Sequence, residues 1–183
     1  VGGTLGSGFA GVGSVGFTLT DLTFGAVLAS DTNGTPADTA DDTDYLALKV
    51  DVGSAALTGI EGLTASVTSL SVVVNKTSSE STPNKVLDFV DTVAETNDTD
   101  NAASSRAIAT GLETADVTLD LDGDDGAYLK AVGNATFDIF GFVSVSGSFG
   151  VEKKTGQTLY ISGTDAANTE VADANLLTIG LAD

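Results

Sequence analysis

An alternation that breaks phase and then resumes is the strongest constraint on this chain. Val15, Phe17 and Leu19 alternate with small polar residues, two polar residues intervene (Thr20-Asp21), and Leu22, Phe24 and Ala26 take up the alternation again. The same pattern recurs with Leu63, Ala65 and Val67, then Thr68-Ser69, then Leu70, Val72 and Val74. A looser third copy runs from Phe142 to Val151, with one more residue between its halves. Period-two alternation marks a strand with one buried face, and a repeated strand–break–strand unit marks a modular protein built by stacking similar pieces. The expected fold is all-β with mainly antiparallel strands and long acidic loops, as a sandwich or a solenoid-like stack. Val67 and Leu70 are three apart, so a straight strand would put them on opposite faces. The break is therefore either a tight turn or arc, or a bulge that resets the phase. Neither break is Asn-Gly or Asp-Gly, so no favoured hairpin turn is signalled.

Residues 11–30 read as a strand pair, and residues 31–44 as a polar acidic loop. Tyr45–Val52 reads as a strand, and residues 55–75 carry the second copy. Val86–Val90 reads as a short strand, residues 102–112 as a helical turn or a strand, and Val117–Leu121 as a strand. Residues 128–154 carry the third copy, and two closing strands fall at 157–162 and 176–181. The whole chain, 1–183, is expected to form one all-β module. The alternative is two packed sub-modules, about 1–75 and 117–183, joined by the loop-rich 76–116. Equivalent positions in the copies nominate a common core of Phe17, Leu19, Leu22, Phe24, Val67, Leu70, Val72, Val145 and Phe149. Full burial of Phe24 or Phe149 would make its replacement by Ala cost about 3–5 kcal/mol.

Composition excludes several kinds of chemistry. There is no His, Cys or Trp, which removes Ser/His/Asp and Cys/His catalysis, disulfides, and zinc sites with imidazole or thiolate ligands. No Gly-Lys-Ser or Gly-Lys-Thr phosphate cradle occurs, and Gly2, Gly3 and Gly6 make no dinucleotide fingerprint. The chain is not expected to be an enzyme. With 26 acidic and 7 basic residues its net charge is -19, which repels nucleic acid and anionic lipid. No apolar run reaches the length of a spanning helix, so no membrane span is expected. Val1-Gly2-Gly3-Thr4 lacks an initiator Met and a charged leader, as in a processed protein or a segment of a longer one.

Calcium is the one cofactor the residues suggest. Asp120, Asp122 and Asp124 are spaced two apart and joined by Asp125, with Gly123 and Gly126 allowing a sharp turn. Hard cations take oxygen ligands from such loops. The match to an EF-hand is partial, since position 131 is Ala where a Glu would close the set. Asp38, Asp41, Asp42 and Asp44 form a second, less regular acidic group. Glycosylation sequons stand at Asn33, Asn75, Asn97 and Asn134. Phe137, Phe140, Phe142 and Phe149 form an aromatic cluster that reads best as core.

Tyr45–Lys49, Ala55–Thr64, Leu70–Asn75, Val117–Gly123, Asn134–Gly147 and Leu176–Gly180 together resemble the tandem β-repeat units of very large bacterial surface or secreted proteins of adhesin-like type. That resemblance implies an extracellular or cell-surface scaffold, filament or adhesin role and carries no catalytic residues. The expected function is a structural module, a tandem repeat or self-assembling subunit of a fibre, filament or matrix, whose partners are copies of itself or adjacent repeats. Neither Val1–Gly8 nor Leu176–Leu181 carries the charge or proline that protects an open strand edge. The alternative is a stand-alone adhesin domain binding carbohydrate or a surface, for which Phe140 and Phe142, or Tyr45, Tyr128 and Tyr160, would have to supply an aromatic platform.

Overall fold

The computed structural model describes residues 1–90, 105–111, 116–162 and 169–183. Nine strands form in chain order: β1 (Gly2–Val12), β2 (Val15–Asp31), β3 (Thr43–Thr58), β4 (Leu63–Thr77), β5 (Arg106–Ile108), β6 (Val117–Leu119), β7 (Tyr128–Ile139), β8 (Val143–Ile161) and β9 (Thr169–Ala182). Seven make one antiparallel sheet in the order β1-β2-β3-β4-β7-β8-β9, and β5 and β6 make a small sheet of their own. The fold is thus all-β and antiparallel, as expected, and takes the form of a long meander bearing a minor second layer. Because β4 pairs directly with β7, the large sheet runs unbroken across the loop-rich stretch 78–127. Thr, Val and Ile suit these strands because their branched Cβ atoms favour the pleated backbone.

Three connections are short and lie at one end of the sheet. Gly13-Ser14 joins β1 to β2, residues 59–62 join β3 to β4, and Phe140-Gly141-Phe142 join β7 to β8. Gly13, with φ 62°, supplies the positive φ that a two-residue hairpin needs. The strand ends joined by the longer connections, β2 to β3, β4 to β7 and β8 to β9, all lie at the other end.

The phase break is an inserted residue inside a continuous strand. Leu5, Leu22, Val52 and Leu70 stand abreast on one side of the break, and Ser7, Thr20, Ser54 and Thr68 stand abreast on the other. Between these rows each strand carries one residue outside the alternation: Gly6, Asp21, Gly53 and Ser69. Asp21 (φ 51°) and Ser69 (φ 52°) are left-handed. Register stays constant among β1–β4 because all four carry the insertion. It shifts at β4–β7, where Thr68 pairs with Asn134 but Ser71 pairs with Val132, and again between β8 and β9 beyond Lys154. β7 and β8 lack the insertion and keep one phase throughout. Residues 11–30, expected as a strand pair broken at Thr20-Asp21, are instead the end of β1 and, from Val15 on, the single strand β2.

Pairing assigns the faces. Opposed residues in adjacent strands share a face. Val15, Phe17, Leu19, Leu22, Phe24 and Ala26 of β2 thus lie with Leu57, Ala55, Val52, Val50 and Leu48 of β3, and with Leu63, Ala65, Val67, Leu70, Val72 and Val74 of β4. Ala135, Phe137, Val143, Val145, Phe149, Val151, Ile179 and Leu181 continue the same apolar face across β7, β8 and β9. The opposite face is mostly Ser and Thr: Thr18 and Thr20, Ser54, Ser66 and Thr68, Thr136, and Ser144, Ser146 and Ser148.

The enclosed core lies on the Ser/Thr side. Ala47, Ile108, Val117, Leu119 and Leu121 form it, with Val27, Val73, Leu87, Phe89 and Tyr128 packed around them. β6 sits against β2 and β3. Gly25 permits this approach, since a Cβ there would meet Val117 Cγ1 at 2.9 Å and Ile108 Cβ at 3.2 Å. The expected common core is overturned in this respect. Its nine residues do share a face, but Phe17 is 50% and Val145 62% exposed, and of the whole apolar face only Ala26 and Val52 are buried. The alternation identified the face correctly; burial failed because no second layer among the described residues closes over it. Val86–Val90 also forms no strand. It runs as extended coil, Leu87 accepting a hydrogen bond from Asn75 and the Phe89 N–H donating to the Leu121 carbonyl. Within 102–112 the described structure is the strand β5, Arg106–Ile108.

Candidate functional site

The acidic turn 120–126 follows from its local sequence. Val117, Leu119 and Leu121 point inward and are buried, so Thr118 and Asp120 point outward. Strand pairing stops at Leu119. Asp122 then caps a single turn of 3-10 helix, Gly123–Asp125, its Oδ1 accepting from the Asp124 N–H at 2.9 Å. Gly126, with φ 68°, ends the turn and its N–H donates to the Gly123 carbonyl.

The carboxylates diverge around this turn. Asp125 pairs with Lys154 of β8, Nζ to Oδ1 2.9 Å, and Asp120 pairs with Lys49 of β3 at 3.6 Å. Lys49 Nζ also donates to the Thr118 carbonyl, and Lys154 stands 5.9 Å from the Tyr128 ring centroid. Burial pushes the Tyr128 phenol up to about 12, with Asp125, Asp120, Glu152 and Asp122 adding to the shift. Among the described residues no group of three or more acidic side chains converges as a metal site would require. The turn pins the covering segment to the large sheet through two lysines that sequence reading passed over. The charge row Asp120–Asp125 gave no sign of which cations, 71 and 29 positions away, would meet it.

The sequons fare differently. Asn33 is exposed, left-handed at φ 49°, and bonded through Nδ2 to Asp41 at 3.4 Å. Its sequon Thr35 hydroxyl lies 3.0 Å from both Asp41 carboxylate oxygens. Asn134 is exposed on the Ser/Thr face and accepts from the Ser148 hydroxyl at 2.8 Å. Asn75 is a correction: it is 0% exposed, and its Nδ2 donates to the Leu87 carbonyl at 2.7 Å, so it holds the 87–89 coil and presents nothing to a glycan. Alternation places Asn75 on the face that β5, β6 and that coil cover, a cover invisible in the sequence. Asn97 lies outside the described residues. Of the second acidic group, Asp41 serves Asn33 and Thr35, the Asp38 carboxylate accepts from the Ala40 N–H, and the Asp44 N–H donates to Ser78.

The aromatics make no single platform. Phe140 and Phe142 are exposed at the short-turn end, and Tyr160, also exposed, lies near the end of β8 that leads into residues 162–168. Tyr45 and Tyr128 are half-buried. Phe137, Val145, Phe149 and Leu181 line a shallow groove of about 340 Å³ on the apolar face. A groove of about 550 Å³ between Leu28, Tyr45, Leu46 and Lys76 brings no converging set of catalytic groups.

Two features of the whole sheet stand out beside these local sites: its outer strands and its apolar face. No charge or proline occurs in Gly2–Val12, and none in Leu176–Ala182. No family model matches the chain, and no curated protein or solved structure matches it either.

Proposed function

We propose that this chain is a structural scaffold module of an extracellular or cell-surface fibre, filament or matrix, a tandem repeat or self-assembling subunit that joins copies through the edges of its large sheet. The observation that carries this reading is the pair of unprotected outer strands. An open edge presents a row of backbone donors and acceptors, and proteins that stay monomeric blunt it with charge, proline or a covering segment. β1 and β9 carry no charge or proline along the stretches named above, and no strand among the described residues pairs with their outer edges. They also hold equivalent places: Leu5 of β1 lies opposite Leu22 beside the inserted row, and Leu181 of β9 lies opposite Phe149, which faces Gly133 at the same level. Such edges recruit further strands by β-augmentation. A hard cation at Asp122, Asp124 and Asp125 is a subordinate part of the proposal, since it would have to displace Lys154 from Asp125.

Gly180→Lys tests the reading, because a side chain at Gly180 meets nothing within 4 Å and so leaves the fold intact. The wild-type protein is expected to form sheet-joined assemblies visible by electron microscopy. Gly180→Lys, or removal of residues 1–8, should abolish or shorten them. Monodisperse wild-type monomer at high concentration would sink the reading, as would assembly indifferent to both changes.

A further inference from the structure

We infer that the apolar face of the seven-stranded sheet is a lipid-facing wall, seated against the hydrocarbon of a bilayer, with the Ser/Thr face and the small sheet turned to water. This goes beyond edge assembly, which sets how sheets join and not what covers their faces.

Four observations select this occupant. The first is height. β7 enters the apolar band at Leu129 and leaves it at Ile139, and β8 occupies it from Val143 to Val151. A strand crossing a hydrocarbon core needs about 9–11 residues when tilted. From Ala131, the first level clear of Lys153, to Ile139 the eight steps make about 27 Å at about 3.4 Å each, which at a barrel-like tilt of about 40° stands about 21 Å tall, against about 25 Å for the apolar band of a membrane barrel.

The second is where charge stops. On this face the alternation of β4 and β8 meets its first ionisable residues at Lys76 and Lys153, both at the long-connection end. Lysines at that level reach the headgroups while their stems stay in the apolar zone. Lys49, Asp51, Lys130, Asp138 and Glu152 fall within the same height but on the Ser/Thr side. Two ionisable residues within the band depart from this: Asp21, at its inserted position, and Asp183, which follows Leu181 at the end of β9 and lines the groove beside Phe137 and Val145.

The third is the opposite face. It is mostly small and polar and carries its own enclosed core, so it is already served by water and by β5 and β6. A membrane wall has both faces, apolar toward lipid and small and polar toward water. The fourth is the asymmetry of the ends. Three short links stand at one rim, with Phe140 and Phe142 exposed there, and the strand ends joined by the longer connections stand at the other. Aromatic rims flanking an apolar band, and short turns opposite long loops, are how such walls meet the two interfaces.

The test uses the full chain, refolded from urea with vesicles of phosphatidylcholine and floated on a density gradient. Val145→Lys puts a charge on the apolar face, and Ser146→Lys puts one on the other face of the same strand. Both positions are exposed, so both variants should fold. Wild type and Ser146→Lys are expected to float with the vesicles to within twofold of each other. Val145→Lys should lower the bound fraction at least tenfold, as a lysine facing lipid does at depth. The inference is overturned if wild type remains below the vesicles, if the two variants behave alike, or if wild type stays in water as a dimer that protects the apolar face. None of these outcomes depends on Gly180, so failure here leaves edge assembly standing.

Discussion

The two faces of the large sheet are built on opposite terms. The face with strict apolar alternation, from Val15 to Ala26 and from Leu63 to Val74, is for the most part only half-buried, with no second layer over it among the described residues. The face that alternation makes small and polar holds the only enclosed cluster among the described residues, because glycine at 25 and alanine at 47 let β5 and β6 come close. Apolar patterning therefore identified a surface that needs cover without identifying the cover. The buried core came from Ile108, Val117, Leu119 and Leu121 set on Ala47, with Val27 and Val73 of the sheet packed beside it, positions that the pattern ranks low. Sheet faces are usually covered by whichever element the chain supplies nearby, and here the described residues between β4 and β7 cover the Ser/Thr side.

The comparison breaks most readily at Leu119, which is 0% exposed. Leu119→Ala should cost about 2–5 kcal/mol in urea unfolding of the water-dissolved chain. Phe17→Ala, on the apolar face, should cost well under the about 3–5 kcal/mol of a buried Phe. Equal costs would mean that both faces are covered in solution and that the contrast is false.

A smaller effect sharpens the picture of the covered side. The Tyr128 phenol titrates at about 12 against an ordinary 10.0. Its raised value means that the unfolded chain ionises first as pH rises. The stabilisation it represents is whole below about 10 and is lost between about 10 and about 12. Phenolate absorbance should show one tyrosine ionising last, and Tyr128→Phe should remove that step and flatten the alkaline fall in melting temperature. An unchanged titration would place Tyr128 outside the cover.

The smallest expected effect is that of calcium. With Asp125 held by Lys154 and Asp122 capping its own turn, melts with calcium and with chelator should differ by no more than a degree or two, a change of a few tenths of a kcal/mol. A large rise confined to calcium, and lost in Asp122→Asn, would show that the turn rearranges around an ion.

The sequence held a good part of this. The strand class, the shared face of nine residues, and a phase reset at Thr20-Asp21 and Thr68-Ser69 were all legible, because side-chain period records strand geometry directly. The choice of insertion over turn was not. Asp21 and Ser69 are left-handed without being glycine, a conformation set by four neighbouring strands and not by local preference. For β5 the sequence leaves helical turn and strand undecided within 102–112, because the three residues Arg106–Ile108 are too few to carry a readable period. Asn75 reads as a sequon because nothing in its neighbours announces the Leu87 carbonyl.

The meander has seven strands, and seven is odd. β1 and β9 therefore run in the same direction, both toward the short links. Copies laid side by side in one orientation would meet through a parallel seam, once in every seven strands. A strictly antiparallel joint between whole copies requires turning one of them over, which sends its long connections to the opposite rim. An array can escape this parity only if β9 of one unit takes the place of β1 in the next, so that each unit adds six strands. The polarity of any fibre or wall built from this chain is thus decided by strand count before any side chain takes part.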